Sequence, residues 1–471
     1  MMYSHERYRC YPSVVCVRTE TTITIFPRDL SRRFRENKKY EIAIRGMNDD
    51  ESDYHDPIVY SYSGTVQDGC LILTCTLETE QEYVIWIREN EGKIIKLPIY
   101  SVEKDLYELR PLKGNLHTHS YYSDAEDGIP MIPANYREQG FDFFALTDHN
   151  RMFPSELAAE LYKDIPLDIT VMHGEELHTP GSQLHIVHVG GSESVCNQYI
   201  HHDEEFQSAV EEIEKEMSTV PEQYRHRMAQ AKWACDEIHK TGGIAIYAHP
   251  FWRSRNYNIS KNFSDLLFDA KLFDALELMG GVHTQDNSKQ LALWQEQLMK
   301  GNMIPVVGSD DSHMHDYSKD HFGFGHRFTY VFAKSNSTKD ILDAIRNGYS
   351  VSGEIPMSNE EEVHFYSTNL RFVLFAHFLY NNYFVETKRL SFGEGILMRR
   401  YAEGEPVGEI LSSLANTVEN FYKKFYGLTS APTLPRERQD FLDRCLDMQQ
   451  NIGPKTRGTI LYKHGSNERH E

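Results

Sequence analysis

At 471 residues with a formal net charge of −21, the chain can hold two or three domains, and its acidity disfavours binding of long nucleic acid or any other polyanion. Its apolar fraction of 40% and charged fraction of 25% suit a soluble globular protein, and the polar start MMYSHERYRCYPS reads as no secretory signal. The seven cysteines include no C-x-x-C pair, which points to a reducing, cytoplasmic setting rather than a disulfide scaffold.

Residues 10 to about 103 contain short runs rich in Val, Ile, Thr and Tyr, among them VVCVRTETTITIF, YEIAIRGM, CLILTCTLE and EYVIWIRE. Polar turns separate them. This spacing predicts a small antiparallel sandwich, a β-rich N-terminal domain over 1–105. From about 110 the pattern changes to apolar strands alternating with helices. Seven runs stand out: LKGNLH, FDFFALTDH, ITVMHGEEL, LHIVHVG, GIAIYAHP, ALELMG and IPVVGSDDSH. Near-continuous apolar strands with helical crossovers predict an α/β domain over 106–358, with a parallel sheet closed into a barrel slightly smaller than the usual eightfold one. After the acidic run at 359–362, the segment 359–471 turns helical and aromatic. It reads as a cap or as a contact between copies in a homo-oligomer. Its most apolar stretch, FVLFAHFLYNNYF at 372–384, is too short to span a bilayer, so no membrane association is expected.

Each of the seven strands ends in, or carries, histidines or carboxylates. They are His117 and His119; Asp148 and His149; Glu175 and Glu176; His185 and His188; His249; Glu277; and Asp310, Asp311 and His313. In a barrel these ends meet on one rim. His117 and His119, two apart on a strand, face the same side and can share one metal. Imidazole and carboxylate ligands without nearby cysteine suit zinc, manganese or iron, at a catalytic rather than a structural site. His201, His202, His315 and His321 lie in polar loops and read as solvated. No G-x-S-x-G, P-loop, H-E-x-x-H or G-x-G-x-x-G motif competes.

The motifs GNLHTHSYYSD, ALTDHN, GEEL, LHIV, AHP and SDDSH, in that order, resemble the polymerase-and-histidinol-phosphatase (PHP) family. LKGNLHTHS with FFALTDHN is similar to its carbaryl-hydrolase-like branch. The resemblance covers about residues 112–350. It implies a distorted seven-stranded (β/α) barrel with two or three divalent metals. Carried over by motif, His117 and His119 would hold the first, Glu176 would bridge to a second, and Asp311 would complete the first. His185 and His249 would complete the second, and Asp124, His149 and His313 the third. Glu175, Asp310, Asp127 and His188 stand beside these positions as alternatives. The arginine that often follows the Ala-His-Pro motif is replaced by Trp252, leaving Arg253 or Arg255 to take its phosphate-binding role.

The expected activity is hydrolysis of a small anionic phosphomonoester, phosphodiester or short nucleotide by a hydroxide bridging the metals. Arg253 or Arg255 would clamp the phosphate oxygens, and His283 would protonate the leaving group. The alternatives are carboxyl ester, carbamate or amide hydrolysis at the same metals, a 5′-to-3′ exonuclease, and a non-catalytic binding module on a degenerate barrel.

Overall fold

A computed structural model of the chain describes residues 7–29, 32–36, 38–48, 60–89, 94–253, 256–315, 324–356 and 362–451. The chain divides into two compact units. One takes the described residues up to Glu78, then Tyr83–Ile99 and those from Tyr426 onward; the other takes Thr79–Glu82 and Tyr100–Phe425. The boundaries at 105 and 358 suggested by composition fall inside this second unit.

Up to Val102, alternating residues build strands β1 (Tyr8–Tyr11), β2 (Val14–Cys16), β3 (Thr21–Pro27), β4 (Tyr40–Gly46), β5 (Tyr60–Tyr62), β6 (Gly64–Gln67), β7 (Cys70–Cys75), β8 (Gln81–Glu89) and β9 (Ile94–Val102). They form two sheets, β1-β3-β7-β6 and β2-β9-β8-β4-β5. Every second residue of β3 and β4 points inward, so Ile23 and Ile25 from one sheet share a core with Ile42 and Ile44 from the other.

The second unit continues with β10 (Arg110–Asn115), β11 (Phe143–Ala145), β12 (Thr170–Met172), β13 (Gly174–His178), β14 (His185–Val189), β15 (Ile244–Tyr247), β16 (Ala275–Met279), β17 (Val306–Gly308), β18 (Arg327–Ala333), β19 (Ser350–Glu354) and β20 (His364–Tyr366). It is mixed α/β, but the strands form two open sheets rather than one closed parallel barrel. One sheet runs β12-β11-β10-β18-β19-β20, the other β13-β14-β15-β16-β17.

Two local facts account for the difference. The apolar run 169–177 breaks at His173, so its halves β12 and β13 join different sheets. The connection 179–184 is too short for a crossover, so β14 pairs antiparallel to β13. Single parallel bridges, Thr118 with Ser312 and His149 with Glu176, join the two sheets at their rim. Beneath it, Leu112, Phe143 and Val331 from one sheet share a core with Val187, Ile246 and Val307 from the other.

Helices cover the opposite face of the β13–β17 sheet. Phe206, Trp233, Phe263 and Trp294 pack there on Leu177, Ile186, Tyr247 and Leu276. Helices Leu370–Leu379, Val385–Ala402 and Thr417–Phe425 also belong to this unit. Buried Arg137 donates to Glu394 at 2.5 Å, tying helix Val385–Ala402 to helix Ile132–Glu138. Among the described residues, no helix is long and apolar enough to cross a membrane.

Candidate metal centre

Strand parity decides which side chains reach the space between the sheets. On β13, Glu175 and Leu177 face the helices, where Leu177 joins their core, so Glu176 and His178 face inward. On β14, Val187 and Val189 lie in the shared inner core, which puts His185 on the same side and His188 on the other. Glu277 shares the inward face of β16 with Ala275. His117 and His119 follow the end of β10, where the His119 amide donates to the Ser312 carbonyl at 2.9 Å. His149, His249, Asp311 and His313 likewise follow the ends of β11, β15 and β17.

These side chains converge on one fully buried carboxylate. Around Glu176 stand His149 Nδ1 at 2.6 Å, His185 Nδ1 at 2.8 Å, His249 Nε2 at 3.2 Å, His178 Nε2 at 3.4 Å, His117 Nε2 at 3.5 Å and His119 Nε2 at 3.6 Å. Asp311 Oδ1 lies 2.9 Å from His119 Nε2 and 3.2 Å from His117 Nε2. Half-exposed Asp124 lies 3.3 Å from both His149 and His313.

The set fits divalent metals by its donors and by its unmatched atoms. Among the described residues, Glu176 Oε2, His149 Nδ1 and His178 Nε2 are buried with no well-angled hydrogen-bond partner. His117 Nε2 and His119 Nε2 face each other at 3.2 Å, as two lone pairs do around one shared cation. The donor atoms fall into overlapping groups within 4.8 Å: His117, His119 and Glu176; His117, His249 and Asp311; Glu176, His185 and His249; His149, Glu176 and His178; and His119, Asp124, His149 and His313. All are imidazole nitrogens or carboxylate oxygens, a set that suits zinc, manganese or iron.

Charge compensation inside the cluster is strong. Burial opposes ionisation of Glu176, but His185 and His117 outweigh it and hold the carboxyl well below its usual range. Asp311 and Asp124 are lowered in the same way by their histidines. Against burial, Asp124 and Glu176 push His149 up to about 10, and Asp124 with Asp311 pushes His313 up to about 9. Burial wins at His185, which falls to about 4.

The alternative residues have other partners. Glu175 accepts from His188 Nδ1 at 3.0 Å, Ser194 Oγ at 2.6 Å and the Val195 amide at 2.7 Å. Asp310 accepts from Asn115 Nδ2 at 2.6 Å and the Tyr136 hydroxyl at 2.8 Å. Asp127 binds His315, through its amide at 2.6 Å and its Nδ1 at 2.7 Å. Asp148 accepts from the Ser120 amide and hydroxyl and from Ser123 Oγ, which holds the loop that carries Asp124. His249 and Asp311 have left-handed backbones, φ 21° and 47°, an unusual conformation often retained where a side chain must be aimed.

His283 is exposed at the start of helix Thr284–Met299, outside these groups. Arg253 is exposed over the Tyr257 ring, and Arg255 lies outside the described residues, as does His321. Trp252 stands beside the cluster, its ring centroid 5.7 Å from that of His185 and 6.3 Å from that of His249. His178 is the cluster residue that motif reading passes over, although Glu176-x-His178 repeats the two-residue spacing of His117 and His119.

No protein-family model matches the chain, and no curated protein matches it. Solved structures do. One is a two-domain Bacteroides vulgatus protein described as containing a predicted PHP-like metal-dependent phosphoesterase, with 18% identity, a TM-score of 0.37, and coverage of 52% of this chain and 65% of that one. Another is a proposed metal-dependent phosphoesterase from Bifidobacterium adolescentis, with 15% identity, a TM-score of 0.31, and coverage of 43% and 88%. A third is an amidohydrolase from Chromobacterium violaceum with bound sulfate and no metal, with 18% identity, a TM-score of 0.28, and coverage of 42% and 87%. At such values the functional reading rests on the site itself.

Proposed function

We propose that the chain is a metal-dependent hydrolase of PHP type, allied to the carbaryl-hydrolase-like branch, that cleaves small phosphomonoesters, phosphodiesters or short nucleotides. The observation that carries this is the buried Glu176 carboxylate ringed by six imidazoles, with Asp311 beside them. His117, His119, Glu176 and Asp311 would hold one ion. Glu176, His185 and His249 would hold a second, and Asp124, His149 and His313 a third. Such cations, when bound, supply water of near-neutral pKa and positive charge opposite a phosphate. Glu176, Asp311 and Asp124 contribute three negative charges, fewer than the charge of two or three divalent ions, so the loaded pocket favours an anion. Arg253 or Arg255 is the proposed clamp on the phosphate oxygens, and His283 is the proposed proton donor to the leaving group.

Trp252 favours a second reading. The side chain beside His185 and His249 is a partly exposed indole rather than a cation, which suits a neutral carboxyl ester, carbamate or amide. The test is elemental analysis after mild purification, then kcat/KM for p-nitrophenyl phosphate, its phosphodiester analogue and p-nitrophenyl acetate under one metal condition. At least two bound transition metals per chain and a phosphoester preference are expected. No metal, together with no activity after adding manganese or zinc, would overturn the hydrolase. A clear advantage for the acetate, after subtracting metal-only hydrolysis, would move the second reading ahead.

A further inference from the structure

We infer that Glu277 is a positioning residue for this centre, acting through His117; the inference rests on the metal-dependent reading. Both side chains are fully buried. His117 Nδ1 donates to Glu277 Oε2 at 2.8 Å, a contact that places a ring proton on Nδ1. Nε2, the nitrogen left to meet a metal, is thereby aimed into the cluster, 3.2 Å from Asp311 Oδ1 and 3.5 Å from Glu176 Oε2.

The other oxygen, Glu277 Oε1, is buried with no hydrogen-bond partner among the described residues. Taking a carboxylate out of water is costly unless it is paired, and the inward face of β16 otherwise carries the apolar Ala275. An apolar side chain would serve packing better, so the imidazole is what the carboxylate is there to hold. The strand end beside it is built to keep it in place. Gln290 Nε2 donates to the Leu278 carbonyl at 2.9 Å, and Asn287 bonds both the amide and the carbonyl of Gly280. A Cβ at Gly280 would lie 2.3 Å from Glu277 Oε1. A carboxylate bonded to the far nitrogen of a ligating imidazole orients the ring and raises its basicity.

The experiment measures zinc affinity of the full chain by competition with a chromophoric chelator. Glu277→Gln keeps an acceptor but loses the charge, whereas Glu277→Leu loses both. Affinity is expected to fall in that order, by roughly 10- to 100-fold for Glu277→Leu. Gly280→Ala, which displaces the carboxylate without removing it, should also weaken binding. The cobalt-substituted Glu277→Gln protein should keep the visible absorption of wild type, because no ligand is lost. Metal-free Glu277→Gln, which keeps an acceptor for His117 Nδ1, should unfold at about the same temperature as metal-free wild type while its zinc affinity falls, a result that separates positioning from a merely structural role. Unchanged zinc affinity in Glu277→Gln and Gly280→Ala would overturn the inference alone. So would a cobalt spectrum altered as by loss of a direct ligand. A wild-type chain that takes up no zinc, manganese or iron would overturn the metal reading itself, and the inference with it.

Discussion

Glu175 and Glu176 are adjacent and chemically identical, yet they sit in opposite environments. Glu176→Ala removes the carboxylate on which the imidazoles converge and should reduce metal uptake and turnover to background. Glu175→Ala should leave metal content unchanged. It strands the buried donors His188 Nδ1, Ser194 Oγ and the Val195 amide, which should cost about 2–4 kcal/mol of stability by urea denaturation. The reverse pattern, with metal lost in Glu175→Ala only, would show that the roles are exchanged. Most of the residues that meet around Glu176 could be picked out of the sequence as polar ends of apolar runs. Which member of each adjacent pair turns inward depends on strand register, and a one-residue slip exchanges the faces. Asp311 is set apart from Asp310 by a left-handed turn, which residue type alone does not announce. His178 escaped because it follows Leu177 at the end of a run already credited with two glutamates.

The strands of the second unit were legible because their apolar residues recur without interruption, as in FDFFA and GIAIY. Their closure was not. It turned on the break at His173 and on the short connection 179–184, neither of which disturbs the apolar pattern. The helices after Leu370 gave no sign of where they dock, since contacts that hold them, such as Arg137 to Glu394, span 257 residues. Arg137 also lies 3.5 Å from Asp142 and 3.8 Å from Asp168, all of them buried. Removing Glu394 takes away the nearest of the three carboxylates around the buried guanidinium and strands both Arg137 Nε and the Asp168 amide. Glu394→Ala should therefore cost about 3–5 kcal/mol in urea denaturation while zinc affinity stays within about twofold. Equal losses of stability and affinity would mean that these helices shape the site as well as cover it.

For the chain as a whole, the cluster couples folding to protons and metals. His149 and His313, raised to about 10 and about 9 from an ordinary 6.5, hold protons in the folded chain that the unfolded chain gives up. That contribution is complete below about pH 6.5 and is lost as pH rises through 9 to 10. His185, lowered to about 4, has the opposite sign: its penalty grows as pH falls from 6.5 to about 4 and stays in full below that. The melting temperature of metal-free protein should therefore fall between pH 6.5 and 10. Zinc replaces those protons, so the loaded protein should lose less over the same range. At neutral pH, free zinc at a hundred times its dissociation constant should add about 2.7 kcal/mol. Parallel pH curves for the two forms would show that these histidines do not meet the metal.

The single bridges that join the two sheets at the rim also set a clock. His117, His119 and His149 stand on one side of that seam, and Glu176, His185, His249 and Asp311 on the other. On the proposed assignment, an ion held by fully buried His117, His119 and Glu176 would leave only when the sheets part, whereas one held by Asp124 and His313, 53% and 33% exposed, would leave directly. Excess chelator should strip the loaded protein in two phases. The fast phase should ignore low urea, and the slow one should accelerate with it, because parting the seam exposes buried surface. The residence time of the inner metal then measures how often the seam opens.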